Sequence, residues 1–237
     1  MSEHTTKAFD YDLQDLTGMI AEMGGLTERQ IIEAIDALSR GDTNHGKRVI
    51  TADASLDALQ REIEQKAIVT IAMRQPMAAD LREIVAIIRI ANDLERIGDL
   101  GKNIGKRVIG INGEDVPRQA MRGVRHMAQL VLRQLQDVLD AFASRDGAKA
   151  LEIWSRDADV DSMYTSLFRE VLTYMMEDPG KMGFGIHLLF CAKNIERMGD
   201  HATNIAEAVY YMVEGRALIE ERRKADETST LAVAFNA

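Results

Sequence analysis

Acidic residues recur four apart along this chain, as Asp53 with Asp57, Glu95 with Asp99, Asp157 with Asp161, and Glu196 with Asp200. Residues four apart on a helix lie on one face, so each pair sets two carboxylates side by side. The segments that carry them are duplicated. Residues 91–99, Ala-Asn-Asp-Leu-Glu-Arg-Ile-Gly-Asp, parallel residues 192–200, Ala-Lys-Asn-Ile-Glu-Arg-Met-Gly-Asp, at an offset of 101. Asn103-Ile104 and Asn204-Ile205 extend the match, and Asp53-x-x-x-Asp57 parallels Asp157-x-x-x-Asp161 at an offset of 104.

Two helices folded back on each other bring level the residues that share a sequence midpoint. Asp57 with Glu95 and Asp53 with Asp99 both have midpoint 76, the position of Pro76. Asp161 with Glu196 and Asp157 with Asp200 both have midpoint 178.5, beside Pro179. Each hairpin is thus predicted to gather four carboxylates at one height. Such groups repel by a few tenths of a kcal/mol per exposed pair, and they raise their pKa values or recruit a cation. Oxygen-only donors suit hard or borderline ions: magnesium, manganese, calcium, iron or zinc. His201 is turned about 100° from Asp200 around the helix and is a poor co-ligand. The Glu-x-x-His pairs of a di-iron carboxylate centre are absent.

Measured by helical rotation from the apolar stripes, the acids fall on flank positions. That predicts a partly exposed groove, not a buried cage. Gly98 and Gly199 recur beside the acids inside helices, where glycine costs ~1 kcal/mol against alanine, and they predict close backbone approach. Arg96 and Arg197 are the counter-charges expected if the acids form only solvated faces. Asn103 and Asn204 are placed to bond backbone or an acid.

Helical periodicity predicts elements at residues 7–40 (bent at Gly24-Gly25), 43–73, 78–110, 117–144, 146–177 and 182–214. Arg74-Gln75-Pro76, Asn112-Gly113 and Pro179-Gly180 separate them, Pro117 suits a first helical turn, and Asp146 suits an N-cap. Helices of ~30 residues span ~45 Å, and short connections make them antiparallel. The predicted fold is all-α: a tandem pair of three-helix bundles, six long antiparallel helices with an internal pseudo-twofold repeat. The domains are residues 1–112 and 113–237, with a fraying tail from about 215.

Composition agrees. Among 237 residues, 46% are hydrophobic, enough for a core, while 3 prolines and 5% aromatics argue against a β-sandwich. The net charge of −9 argues against broad nucleic-acid binding. The single cysteine, Cys191, excludes a disulfide framework and a Cys-based zinc site, and reads as a core residue. Most of the 13 methionines read as core filler, with Met175, Met176 and Met182 as candidates for an adaptable partner surface. Arg222-Arg223-Lys224 reads as a solvated helix end. The apolar stretch 84–91, interrupted by Arg89, is far short of the ~20 residues of a membrane span. Residues 1–12 carry no apolar targeting segment. A cytoplasmic protein is expected, reaching a membrane only through partners.

The two copies of Asn/Asp-x-Glu-Arg-x-Gly-Asp, the Arg74-Gln75-Pro76 turn and the level Asp-x-x-x-Asp partners resemble the PhoU family over residues 9–215. The second copy departs in having Asn194 in place of an acid and Glu177-Asp178-Pro179 in place of Arg-Gln-Pro. The resemblance implies multinuclear metal sites built by the acidic motifs on each bundle. It implies a non-enzymatic negative regulator of phosphate uptake and of the phosphate-starvation response. The partners it implies are the ATPase subunit of a phosphate ABC transporter and a membrane sensor histidine kinase, and a homodimer is expected. Two alternatives stand beside it: a carboxylate–metal hydrolase or oxidase, and a helical chaperone-like scaffold.

Overall fold

The computed structural model describes residues 3–111, 118–156, 158–218 and 228. Among these the chain forms seven α-helices: α1 (Glu3–Arg40), α2 (Thr43–Arg74), α3 (Ala79–Ile111), α4 (Arg118–Ser144), α5 (Gly147–Ser155), α6 (Ala158–Glu177) and α7 (Met182–Glu214). A 3-10 turn, Pro179–Lys181, links α6 to α7. There is no strand among the described residues.

Local chemistry sets the helix ends. Asp42 has extended backbone and accepts a hydrogen bond from the His45 amide at 2.9 Å, which starts α2. α2 stops where Gln75 turns left-handed, at φ 50°, immediately before Pro76. Asp146 caps α5 as expected, accepting from the Lys149 amide at 2.9 Å. Gly215, at φ 73°, closes α7.

One predicted element is corrected. The helix expected over 146–177 is two, α5 ending at Ser155 and α6 beginning at Ala158. No glycine or proline marks this break. The aspartates Asp159 and Asp161 fall in the first turn of α6, where a helix N-terminus favours negative charge. α1 also begins earlier than expected and runs unbroken through Gly24 and Gly25. Gly24 serves packing: a Cβ there would lie 2.6 Å from Leu139 of α4. Asn112, Gly113, Pro117 and the predicted domain boundary lie outside the described residues, as do Asp157 and Arg222-Arg223-Lys224.

α1, α2 and α3 pack together as one three-helix unit, and α4, α5–α6 and α7 as a second. Within the first unit α2 and α3 run antiparallel about Pro76. A Cβ on Gly46 would stand 2.9 Å from the Gly105 carbonyl oxygen, and a Cβ on Gly98 would stand 3.5 Å from Asp53 Oδ1. Both contacts have the register that the shared midpoint predicts. In the second unit Gly199 lies against Val160, where a Cβ would come within 3.3 Å of Cγ1.

The units join through α3 against α7 and α1 against α4. Asp93 of α3 meets His201 Nδ1 at 2.8 Å and Asn204 Nδ2 at 3.3 Å. Gln136 of α4 donates to Glu28 of α1 at 2.8 Å, and Arg125 donates to Ser39 at 3.0 Å. Apolar side chains from both units form one core, with Leu16, Ile31, Leu56, Ile87, Leu94 and Phe184 fully enclosed. Cys191 lies inside it, and burial pushes its thiol up to about 12. No described helix is long and apolar enough to cross a membrane.

Candidate functional site: the paired acidic faces

In the first repeat, α2 supplies Asp53 and Asp57, and α3 supplies Glu95 and Asp99. Asp53 is buried at 2% exposure, and both of its oxygens are satisfied. Gln30 Nε2, from α1, donates to Asp53 Oδ1 at 3.0 Å and to the Gly98 carbonyl at 2.9 Å. Lys102 Nζ donates to Asp53 Oδ2 at 2.6 Å and to Asp99 Oδ1 at 3.2 Å. Those two carboxylates raise the Lys102 pKa well above its ordinary value, so the ammonium is fixed as a cation. Arg96 lies farther out, 3.5 Å from Glu95 and 3.6 Å from Asp99. The Glu95 carboxyl is pushed up, first by burial and then by the charges of Asp99, Asp57 and Asp53. All four predicted acids of this repeat therefore share one electrostatic environment.

The second repeat is built differently. Glu196, buried at 4% exposure, receives Lys193 Nζ on Oε1 at 2.9 Å. Its other oxygen, Oε2, is buried without a hydrogen-bond partner. Burial raises the Glu196 pKa, Asp200 and Asp161 raise it further, and Lys193 opposes them. Asp161 is buried at 2% exposure and Asp200 is half-buried. Asp157, the fourth predicted acid, lies outside the described residues. Thr203 occupies the place that Lys102 holds in the first repeat. It accepts from Gln134 Nε2 at 2.8 Å and donates to the Gly199 carbonyl at 3.1 Å.

The flank expectation is therefore half right. Asp57, Glu95, Asp99 and Asp200 are half-buried, whereas Asp53, Asp161 and Glu196 are enclosed. Helical rotation within one hairpin takes no account of the first helix of each unit: α1 brings Gln30 onto Asp53, and α4 brings Gln134 onto Thr203. These glutamines sit at the same offset of 104 as the aspartate pairs, so carrying the repeat back into the first helix finds them. Lys102 has no such signal, because its counterpart is a threonine.

Among the described residues no three of His, Cys, Asp and Glu converge closely enough to hold a metal ion. In the first repeat the Lys102 ammonium stands where a cation would neutralise Asp53 and Asp99. In the second repeat Lys193 holds Glu196 Oε1, while Glu196 Oε2 and Gln134 Oε1 are buried acceptors without a hydrogen-bond partner. The unpartnered Glu196 oxygen is the feature of the second donor set that suits a hard ion.

The PhoU domain matches this chain twice, over residues 20–108 and 124–209, each match spanning one acidic hairpin. A phosphate-specific transport system accessory protein PhoU homolog from Rhizobium meliloti (strain 1021) is 57% identical, covering 96% of each chain. A homolog of the same name from Caulobacter vibrioides is 46% identical over 97% of this chain and all of the relative. Among solved structures, PhoU from Pseudomonas aeruginosa superposes with a TM-score of 0.83 at 37% identity, covering 88% of this chain and all of that one. The phosphate transport system regulatory protein PhoU from Streptococcus pneumoniae superposes with a TM-score of 0.82 at 27% identity, covering 90% of this chain and all of that one. With both repeats matched and the whole helical architecture shared, this chain belongs to the PhoU family.

Proposed function

We propose that this protein is a negative regulator of phosphate uptake and of the phosphate-starvation response, acting by contact with partners. The observation that carries the reading is the near-full-length likeness to relatives named as accessory proteins of the phosphate-specific transport system. The protein is not an enzyme: its relatives are accessory proteins, and the hydrolase or oxidase alternative falls away. In this proposal it works on the cytoplasmic side of the membrane, as a homodimer. It links the ATPase subunit of the phosphate ABC transporter to a membrane sensor histidine kinase.

The acidic faces are the working surfaces in this proposal. Asp53, Asp57, Glu95 and Asp99 form one, and Asp157, Asp161, Glu196 and Asp200 the other. A hard or borderline cation such as magnesium, manganese, iron or zinc would neutralise clustered carboxylates and tie the two helices of a hairpin together. Support comes from the Glu95 carboxyl, raised by burial and by its three acidic neighbours, and from the orphaned oxygen of Glu196. The scaffold alternative assigns the acids no such role, and metal content separates the two.

The test is co-purification of the tagged chain from cells grown in high and in low phosphate, with bound metal measured on the same samples. The proposal expects the transporter ATPase and the kinase to be recovered with the chain, more strongly in high phosphate. Recovery of neither under both conditions would overturn it.

A further inference from the structure

Two cavities of about 360 and 350 Å³ occupy equivalent places in the two repeats. Each is lined by the first helix of its repeat and by the helical segment that follows it. Leu26, Arg29 and Gln30 line the first, and Leu130, Arg133 and Gln134 line the second, at the offset of 104. This size lies within the range of about 300–1,000 Å³ typical of small-molecule sites.

The charges of the two cavities differ. The first is lined by Arg29 and Arg48, neither of them in a close salt bridge among the described residues, with Arg48 near enough to Asp42 to lower that carboxyl's pKa. Its one carboxylate, Glu33, is engaged by His45 Nε2. In the second cavity Arg156 is held by Glu152 and lies 4.0 Å from Asp137, and Asp159 adds a further negative charge. The duplication thus keeps the cavity in both repeats but leaves it cationic only in the first. The floor of the first cavity is apolar, made by Leu26, Val49, Ala52 and Leu56.

We propose that the first cavity is a binding site for an organic phosphate monoester, with the phosphate on Arg29 and Arg48 and an apolar or aromatic body on the floor. Planar guanidinium forks bind phosphate oxygens in bidentate fashion. A phosphate monoester carries a charge of about −1.5 to −2 near pH 7, which matches two guanidiniums. A monocarboxylate would leave one of them unmatched. Gln30 lines this cavity and hydrogen-bonds Asp53, so the bound molecule sits one side chain from the first acidic face. The inference rests on the cavity alone and stands apart from the regulatory proposal.

The test is calorimetric titration of the full chain with phenyl phosphate, and separately with inorganic phosphate, in the presence of chelator. Expected is saturable binding of phenyl phosphate, tighter than that of inorganic phosphate. Arg29→Met and Arg48→Met, which keep the aliphatic stems, should each weaken it at least tenfold, and Arg133→Met in the second cavity should leave it unchanged. Melting curves check that the variants are folded. Absence of saturable binding, equal affinity for inorganic phosphate, or unchanged affinity in both Arg29→Met and Arg48→Met would overturn the proposal.

Discussion

Lys102 sets how the first acidic face behaves without a bound ion. Its ammonium bridges Asp53 and Asp99, from α2 and α3, at 2.6 and 3.2 Å, so the face carries its own tethered counter-charge. An incoming metal must displace it. Replacing Lys102 with Met releases one oxygen of each carboxylate, and the variant should hold more manganese per chain than the parent after equilibration and elemental analysis. Equal metal content would remove Lys102 from the role of competitor. On the second face Lys193 holds one Glu196 oxygen at 2.9 Å, and the other oxygen is buried and unpartnered. Burial outweighs Lys193, so without metal that charge remains costly. Glu196→Gln keeps the shape and removes the charge. In the presence of chelator near pH 7.5 it should raise Tm by about 2–4 °C, the shift that ~1 kcal/mol produces in a chain of this size. A lowered Tm would mean that the carboxylate is already compensated. The acids and their register were readable in the sequence because a fixed spacing about a proline constrains them. Gln30 and Lys102 are not encoded by that spacing: Gln30 reaches in from α1, and Lys102 has a threonine as its counterpart in the second repeat.

At the scale of helices, the closest approach sets the hairpin. Gly46 and Gly105 bring the α2 and α3 backbones together, and a Cβ on either would stand 2.9 or 3.0 Å from the other's carbonyl oxygen. Backbone on one side of that contact cannot rotate away as a side chain can. Gly46→Val should therefore destabilise the protein by about 1–3 kcal/mol in urea unfolding, despite removing a helix-weakening glycine. No loss would show that the helices can part at little cost. The break between α5 and α6 was not legible in the sequence. Its residues lack the glycine or proline that usually punctuates helices, and only the acids that favour a new N-terminus hint at it. The six predicted segments otherwise match the observed helices within a few residues, because caps such as Asp42 and Asp146 act locally.

Across the whole molecule, polar ties fasten one repeat to the other, and Glu83 with Arg145 is one of them at 2.7 Å. Burial raises the Glu83 carboxyl above its ordinary value of 4.5, with Arg145 opposing. The folded protein thus holds this proton to higher pH than the unfolded chain. The group's contribution to stability falls as pH climbs from the ordinary carboxyl value through the raised one. Arg145→Met removes the counter-charge and enlarges the rise. The variant should lose about 1 kcal/mol at pH 7.5, a modest figure because the guanidinium is solvent-screened, and clearly less near pH 4. Melts at the two pH values decide it, and an equal loss at both would assign Arg145 a packing role only. The pairing of α3 with α7 and α1 with α4 lay beyond the sequence reading. Midpoints order helices within a hairpin but say nothing of which faces two hairpins share.

The regulatory role acts through the whole chain, and one measurement addresses it most directly. Expression from a phosphate-starvation promoter is followed in high phosphate in a strain lacking this protein, with and without the chain restored. The account predicts high expression in the deletion strain, return to the repressed level with the intact chain, and failure of a folded Asp161→Asn, Glu196→Gln variant to restore it. Unchanged repression in the deletion strain would contradict the account.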